Sequence, residues 1–418
     1  MTPKPHPLVA ASLLVVAGAL GGCAGKLPPC PAAGGPAWRE LAGAHFRVRT
    51  DTDPDSARGA LRDLEQFQAA LLTVFGAGAD LRTGRLPVIL VRDGWDDFAD
   101  PRIVGWFTRS MFQPLVIMRA ASELGNQDVI KHELVHYLSA KVMPVQPPWL
   151  AEGLATYFQT LECDPDNGEV RVGQPPPNLL RVAQNGPRIP LPELLAAERI
   201  DGDRTAFYAS AWATVHFLMN RHERELRAFE KALSARLPIA AAWAQAFGKL
   251  TPADLDYELR DYLDGGRYAL LIFPFGPAHP DPIAERPMSD AEVHVTRAEL
   301  LLLGGRNRAS QPGYAGDPRD QARGRREIDE ALRLDPGNVG ARALAHFGLG
   351  QPVDLDAAER AIEASPGDWM AWLLLAEAFH QRHMPAEGDT AERAVELAWD
   401  DPSVTITLIR TVDGAKKP

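Results

Sequence analysis

The order of hydrophobic and polar positions predicts most elements in the first two thirds of the chain. Residues 45–50 alternate as in a strand, and residues 56–75 place apolar side chains at helical spacing. Two short apolar runs at residues 87–91 and 113–118 predict further strands. The pattern then becomes helical and predicts five helices near residues 126–142, 147–160, 204–220, 222–236 and 251–264. We therefore expect an α+β unit with a small mixed sheet and several helices.

The last part of the chain follows a Pro-rich segment without apolar periodicity. Residues 276–287 have the composition of a linker, and we place a domain boundary there. Beyond it, turn sequences around Pro336, Pro366 and Pro402 recur at intervals of 30 and 36 residues. The small and apolar residues between these turns resemble tetratricopeptide repeats (TPR). The resemblance implies an all-α, TPR-like repeat domain over residues 288–418, with a polar insert at residues 307–319.

Composition and charge exclude several classes of protein. The 418 residues are 45% hydrophobic and 24% charged, as in an ordinary globular protein of two or three domains. Acidic residues outnumber basic ones by 55 to 44, and the formal net charge is −11. Because no basic field exists to attract phosphates, we expect no nucleic-acid partner. Three cysteines are too few for a disulfide framework or a thiolate zinc site.

The N-terminus has the pattern of an exported, lipid-anchored protein. In residues 1–22, Lys4 precedes an apolar run that is too short to span a bilayer, which predicts a signal peptide. The tetrad Leu-Gly-Gly-Cys that ends at Cys23 resembles the bacterial lipobox. This resemblance implies cleavage before Cys23 and acylation of its thiol. Ala24 in the second position implies an outer-membrane lipoprotein of the cell envelope. We expect it to face the periplasm, although the sequence leaves the leaflet open.

Residues 23–37 are expected to form a lipidated tether between the anchor and the first folded domain. The Pro- and Gly-rich composition of residues 26–36 predicts a flexible segment. Cys30 lies in this segment, and in an oxidising compartment it could pair with Cys163 or stay free. The sequence leaves both alternatives open.

The candidate chemistry is concentrated in a His-Glu-x-x-His motif at residues 132–136. On a helix, His132 and His136 share a face and can bind one zinc ion, while Glu133 flanks the metal-bound water. Asn126 is the expected N-cap of this helix. Its apolar positions are Val129, Ile130, Leu134, Val135 and Leu138. The alternative is a buried helix with incidental histidines.

A second helix, predicted after two consecutive prolines, carries Glu152 outside its apolar stripe. From the residues alone, Glu152 is either a solvated charge or the third ligand that zinc requires. The motif at residues 132–136, followed by Trp-x-x-Glu-Gly-x-Ala-x-Tyr, resembles the gluzincin zinc metallopeptidases. The resemblance is closest to the peptidase MA-like family, and it covers about residues 38–265. It implies a zincin-like domain, here residues 38–275, with Glu152 as third ligand of one zinc ion per chain.

The resemblance also implies roles for residues around the metal. Glu133 would act as general base for a zinc-activated water, and Tyr208 would stabilise the oxyanion, although core packing is an equal alternative for Tyr208. Thr156 occupies a position where thermolysin-type enzymes carry an acid. The hydrogen bond that orients a zinc-binding histidine must therefore come from Thr156 or from another residue. His216 is expected to be a core histidine with satisfied hydrogen bonds.

Two features near the motif bear on how a substrate would bind. The strand at residues 113–118 occupies the place where zincins present an edge strand, and this resemblance implies that an extended peptide could pair with it; the alternative is an ordinary strand of the sheet. Trp106 and Phe107 could line the cleft, but core packing is the expectation for both. The sequence alone does not decide whether this edge is free.

Three functions are compatible with these patterns. The leading hypothesis is a membrane-anchored zinc metallopeptidase whose TPR-like repeats bind a protein partner or the substrate. The alternative is a TPR scaffold lipoprotein for envelope assembly, with a weakly active or inactive metallopeptidase-like domain. A zinc hydrolase of non-peptide substrates, such as a deacylase, would use the same metal ligands.

Overall fold

A computed structural model describes residues 27–74, 85–99, 104–109, 113–120, 127–164, 166–276, 282–308, 318–384 and 387–398. The predicted signal peptide, Cys23, Asn126 and the turn at Pro402 lie outside the described residues. The strands are β1 (Arg39–Ala42), β2 (Phe46–Thr50), β3 (Leu86–Val91), β4 (Gly105–Arg109), β5 (Pro114–Arg119), β6 (Glu162–Asp164), β7 (Glu169–Val172), β8 (Leu271–Pro274) and β9 (Ala284–Pro287).

The helices alternate with these strands and then continue alone to the end of the described chain. The first nine are α1 (Pro54–Val74), α2 (Gln127–Val142), α3 (Pro148–Phe158), α4 (Pro177–Asn185), α5 (Leu191–Ala196), α6 (Arg204–Arg221), α7 (Glu223–Ser234), α8 (Ile239–Phe247) and α9 (Pro252–Gly265). The remaining six are α10 (Asp290–Arg308), α11 (Pro318–Leu334), α12 (Val339–Ala343), α13 (Leu355–Ala364), α14 (Trp369–Gln381) and α15 (Glu387–Leu397). The structure combines many helices with a mixed sheet, in agreement with the coarse prediction of helices and strands together.

A six-stranded mixed sheet has the order β4-β5-β3-β2-β1-β9. Strands β2, β3 and β5 run parallel, and the other pairings are antiparallel. The expectation that residues 113–118 form the edge is wrong, because β4 pairs with β5 along its whole length. Strand β4 is the edge strand, and it was missed because a five-residue segment with mixed polarity has no clear alternation.

The segment predicted as a linker contains strand β9, which adds to the other end of this sheet. Residues Ala284–Pro287 pair antiparallel with β1. The pairing is supported by ion pairs of Arg39 with Glu285 at 2.6 Å and of Arg286 with Glu40 at 3.1 Å. A proline is compatible with an edge strand, so the composition that indicates a linker also permits this strand.

The two faces of the sheet contact different parts of the chain. Val88 and Leu90 of β3 join the main core with α1, α2 and α3, whereas Ile89 and Val91 join a second cluster. That second cluster includes Val293, Leu300 and Leu301 of α10. Side chains of a strand alternate between faces, so the helices after residue 288 begin as a layer on the sheet.

Beyond the sheet, α10 to α15 pack around a shared apolar core. Helix α10 packs on α11, α12 packs on α11 and α14, and α14 packs on α13 and α15. A π-helical turn, Leu344–Gly348, follows α12. Asn338, Asp354 and Asp368 cap α12, α13 and α14 by accepting hydrogen bonds from backbone N–H groups of the first turn.

The N-terminal segment from residue 27 is docked, which corrects the expectation of a flexible tether up to residue 37. Leu27, Cys30 and Trp38 are buried in the cluster between the sheet and α10. The backbone N–H of Leu27 donates to Asp97 at 2.8 Å. Cys30 and Cys163 are both free, so the structure has no disulfide between them. The apolar side chains of Leu27 and Trp38 explain this docking, because they gain burial against the sheet.

Within the described residues, no helix combines the length and the apolar character that a membrane crossing requires.

Candidate metal centre

Helix α2 places the two histidines of the motif on one face. Ile130, Leu134, Val135 and Leu138 are buried in the main core, as predicted. Val129, another of the apolar positions of this helix, is 40% exposed. His132 and His136 lie on the side of the helix that faces α3, and Asp128 in the first turn is favourable for the helix dipole.

Helix α3 carries Glu152 to these histidines and packs closely on α6. Pro147 and Pro148 begin the helix, because a proline is tolerated in its first turn. A Cβ atom at Gly153 would lie 2.5 Å from Val215 and 2.6 Å from the carbonyl of Ala211. Only glycine therefore permits this approach of the two helices, and overpacking of this kind costs about 1–3 kcal/mol.

The three candidate ligand atoms form a compact triangle. His132 Nε2 lies 3.1 Å from His136 Nε2 and 3.2 Å from Glu152 Oε2, and His136 Nε2 lies 3.3 Å from Glu152 Oε2. Four-coordinate zinc with bonds of about 2.0–2.1 Å has ligand atoms about 3.3 Å apart. The donor set and its spacing therefore fit a zinc ion with one further position open. The structure brings together the three ligands that the sequence and the resemblance select.

The electrostatics of Glu152 suit a ligand. Burial alone would raise the pKa of Glu152, but hydrogen bonds and charge interactions with His132 and His136 outweigh burial and lower this pKa to about 2. The carboxylate is therefore ionised at any working pH, as metal ligation requires.

Gln159 makes the hydrogen bond that orients the candidate ligand His132. The sequence does not assign a residue to this role. The Oε1 atom of Gln159 lies 3.1 Å from His132 Nδ1 and accepts a hydrogen bond from it, which directs Nε2 to Glu152 and His136. Gln159 follows Glu152 by seven residues, which is two turns along the same helical face. That spacing is the signal that could have identified it.

We expect Gln159→Leu to weaken zinc binding about 10- to 100-fold, because the variant removes the hydrogen bond that orients His132. Competition with a fluorescent zinc chelator measures the change in dissociation constant. Thr156→Val is the matched control one turn earlier on α3, and it should keep the affinity of the parent chain. An affinity loss in Thr156→Val with none in Gln159→Leu would contradict this assignment.

The base candidate Glu133 lies beside the ligands and contacts the edge strand. Burial raises the pKa of Glu133 above its ordinary value, although the nearby His132 and His136 oppose this shift. Its carboxylate accepts a hydrogen bond from the backbone N–H of Phe107 in β4. The carboxylate of the candidate general base is therefore hydrogen-bonded directly to the edge strand of the sheet.

Every second residue of β4 points its backbone N–H and C=O groups away from β5 and toward the metal centre. The N–H of Arg119 donates to the carbonyl of Val104, so residues 104, 106 and 108 face β5. The polar backbone groups of Gly105, Phe107 and Arg109 consequently point to the outer edge. In the described part of the chain, no strand pairs with that edge.

Tyr208 lies next to the metal ligands, on α6. Its ring centroid is 6.1 Å from that of His132. The hydroxyl accepts a hydrogen bond from Arg204 Nη2 at 3.3 Å, which leaves the proton of the hydroxyl available for a further acceptor. Burial and the charge of Glu152 raise the pKa of Tyr208, so this proton is retained at neutral pH.

A cleft of about 400 Å³ opens beside the ligands. Glu133, His136 and Glu152 line it together with Phe107, Ser139, Pro144 and Gln146. Trp106 and Phe107 differ because they are neighbours on a strand: Trp106 is buried against Trp95, whereas Phe107 lines the cleft. The core expectation therefore holds for Trp106, whereas Phe107 is partly buried against the main core and also lines the cleft.

His216 is a core residue, as the sequence predicts. Its Nδ1 lies 2.7 Å from the Tyr262 hydroxyl, and its Nε2 lies 2.9 Å from the carbonyl of Gly173. Burial lowers the pKa of His216, so it stays neutral among apolar neighbours.

The comparison with protein families selects the same part of the chain. Residues 127–240 match a family model described as a protein of unknown function (DUF1570). The match begins at the first residue of α2 and includes His132, Glu133, His136, Glu152 and Tyr208. The comparison with curated proteins finds no match. The matched range thus covers every named residue of the candidate metal centre except those on β4.

Arg204 and Gln159 are residues of the site that the sequence analysis missed. Arg204 precedes Tyr208 by four residues on α6, a spacing that places two side chains together on a helix. Arginine and glutamine are common on helix surfaces, and only the position of α3 and α6 next to α2 distinguishes these two.

Proposed function

We propose that the protein is a zinc-dependent metallopeptidase with a zincin-like domain of the gluzincin type. The observation that carries the proposal is the triangle of His132, His136 and Glu152 with the carboxylate of Glu133 beside it. This donor set leaves one open position, which is typical of catalytic rather than structural zinc sites. The cleft and the open edge of β4 at the same place support a peptide substrate.

The roles of the chain's own residues follow from their positions. When bound, zinc supplies a Lewis acid that polarises a carbonyl and acidifies a water molecule. Glu133 accepts a proton from the attacking water and delivers it to the leaving amine. Its raised pKa brings the carboxyl group closer to neutral pH, where transfer in both directions is favourable. Tyr208 donates its hydroxyl proton to the oxygen that becomes negatively charged.

The edge of β4 would bind the substrate backbone. An extended peptide can add to a strand edge through backbone hydrogen bonds, here with the outward groups of Gly105 and Arg109, because the N–H of Phe107 already donates to Glu133. The side chains of such a peptide then alternate between the cleft and solvent. The contact between Glu133 and Phe107 holds the base at this edge. This arrangement favours a peptide over a non-peptide substrate, because it recognises a repeating backbone.

The remaining parts of the proposal concern location and partners. Acylation at Cys23 would attach the chain to the outer membrane, where it would face the periplasm. The consecutive helices α10 to α15, which share one apolar core, support a TPR-like module that binds a protein partner or the substrate. Since α10 packs on the sheet, this module would be held in a constant position relative to the metal centre.

We expect Tyr208→Phe to lower kcat about 100- to 1,000-fold with a small effect on KM, because the hydroxyl would contact the reacting oxygen mainly in the transition state. Steady-state kinetics on a cleaved peptide measure both constants. Tyr257→Phe is the matched control, since Tyr257 is 67% exposed on α9. An unchanged kcat in Tyr208→Phe would leave core packing as the role of this tyrosine.

The test of the proposed function is hydrolysis of a peptide library by the full chain, purified in detergent and loaded with zinc. We expect cleavage that a chelator abolishes and that zinc restores. The same library, with acyl groups on its amines, tests whether the protein removes acyl groups. Zinc binding without cleavage of either library would contradict the peptidase proposal and favour the scaffold alternative.

A further inference from the structure

A second cluster of metal-ligating side chains lies outside the centre described above. Cys30, His294 and Glu327 each offer one ligand atom, and the three atoms lie within 4.8 Å of one another. They come from three distant segments: the docked N-terminal segment, α10 and α11. Cys30 is only 6% exposed, and its thiol hydrogen-bonds the imidazole of His294. This convergence is independent of the motif on α2.

The surrounding contacts hold each group in place. His294 Nδ1 lies 2.6 Å from Glu327 Oε2, and Arg297 Nη2 donates to Glu327 Oε1 at 2.8 Å. Arg297 also donates to the carbonyl of Pro28. Arg297 Nε also donates to Glu327 Oε2 at 3.0 Å, so Arg297 orients both oxygens of this carboxylate while Oε2 also faces His294.

The N-terminal segment is shaped to present Cys30. The carbonyl of Cys30 accepts hydrogen bonds from the N–H groups of Ala33 and Gly35 at 2.9 and 3.1 Å. The N–H of Ala32 donates to Asp290 at the start of α10. A Cβ atom at Gly35 would lie 1.7 Å from the carbonyl of Pro29, so this turn requires glycine there. The turn holds the thiol at the junction of α10 and α11.

We propose that Cys30, His294 and Glu327 bind a second zinc ion, which fastens residues 27–35 to α10 and α11. A thiolate, an imidazole and a carboxylate are the donor types that zinc accepts, and three of them leave one position for water. Such an ion crosslinks segments that are more than 250 residues apart in sequence. The metal-free alternative is a hydrogen-bonded ion-pair cluster of the same three residues with Arg297.

The second zinc site would also limit the distance between the membrane anchor and the folded part of the chain. The docked Leu27 follows the predicted lipidation site Cys23 by four residue steps, which span at most about 14 Å in an extended chain. This consequence depends on the proposed acylation, whereas the metal site itself does not. A fastened N-terminal segment would keep this end of the molecule at the membrane surface.

The experiment loads the full chain, purified in detergent, with Co²⁺ and with Zn²⁺ separately. We expect the parent to show a thiolate-to-cobalt charge-transfer band in the near ultraviolet, and Cys30→Ser to lose that band together with about one zinc per chain. Cys163→Ser is the matched cysteine control and should keep both. His294→Asn, which retains the thiol, should lose the same single zinc.

The variants separate this proposal from the proposed function. His136→Ala should keep the cobalt–thiolate band, because it alters only the centre on α2. If that centre binds no zinc, the parent should still hold one ion that Cys30→Ser removes. A parent chain without the band, and with the same zinc content as a folded Cys30→Ser or His294→Asn variant, would overturn the second site in favour of the ion-pair cluster.

Discussion

Glu133→Gln is expected to lower kcat about 100- to 10,000-fold while the zinc content stays unchanged. The amide has nearly the shape of the carboxylate but cannot accept the proton of the attacking water, and general-base catalysis contributes about this factor. The ligands His132, His136 and Glu152 are untouched, so metal analysis should give the parental value. The measurement is single-substrate kinetics alongside the metal content of the same sample.

Glu162→Gln on β6 is the matched control, because Glu162 is exposed and belongs to no ligand set. It should retain the activity of the parent chain. Glu133→Gln with full activity would exclude Glu133 as the base. A loss of zinc in this variant would instead indicate that the residue supports the metal.

The pH dependence of kcat/KM gives a further expectation for Glu133. Burial raises the pKa of this carboxyl group, and only the ionised form can accept a proton. Activity should therefore be present above the raised pKa and lost as the pH falls through it. The acidic limb should lie at higher pH than for a solvated glutamate, and an acidic limb near the ordinary value would contradict the role of burial.

His136→Ala is expected to remove about one zinc per chain and all measurable hydrolysis. Removing one imidazole leaves His132 and Glu152, and two protein ligands are too few for a catalytic zinc site. Elemental analysis of the purified chain gives the metal content, and thermal unfolding with and without zinc should show a smaller stabilisation than in the parent.

His383→Asn is a suitable histidine control for this variant. His383 is exposed in the turn that follows α14, and its φ of 53° is tolerated by asparagine. The metal content of the His383→Asn variant should equal that of the parent chain. If His136→Ala retains all of its zinc, the centre on α2 does not hold the metal, and the peptidase proposal fails with it.

The amino-acid sequence by itself determined the elements that carry the ligands. The helical period of α2 places His132 and His136 on one face, because residues four apart are neighbours on any helix. The periodicity also predicts α1, α3, α6, α7 and α9 and the strands β2, β3 and β5 within a few residues of their observed bounds. These features depend on neighbours in sequence, so local patterns are sufficient to predict them.

The order of the strands was decided only by the tertiary structure. Strand β4 is short, and β9 has a charged, Pro-containing sequence, so neither has the alternation that identifies a half-buried strand. Their pairing depends on partners far along the chain. For this reason the periodicity predicts neither strand, the resemblance to zincins places the edge at residues 113–118, and the composition of residues 276–287 predicts a linker.

The surroundings of the metal centre were also decided by the tertiary structure. Gln159 supports His132, Phe107 contacts Glu133 and Arg204 contacts Tyr208 only because α3, β4 and α6 pack around α2. The docking of Cys30 against His294 likewise joins segments with no local relation. A sequence pattern contains the periodicity of one element, whereas contacts between distant elements are selected by the packing of the whole core.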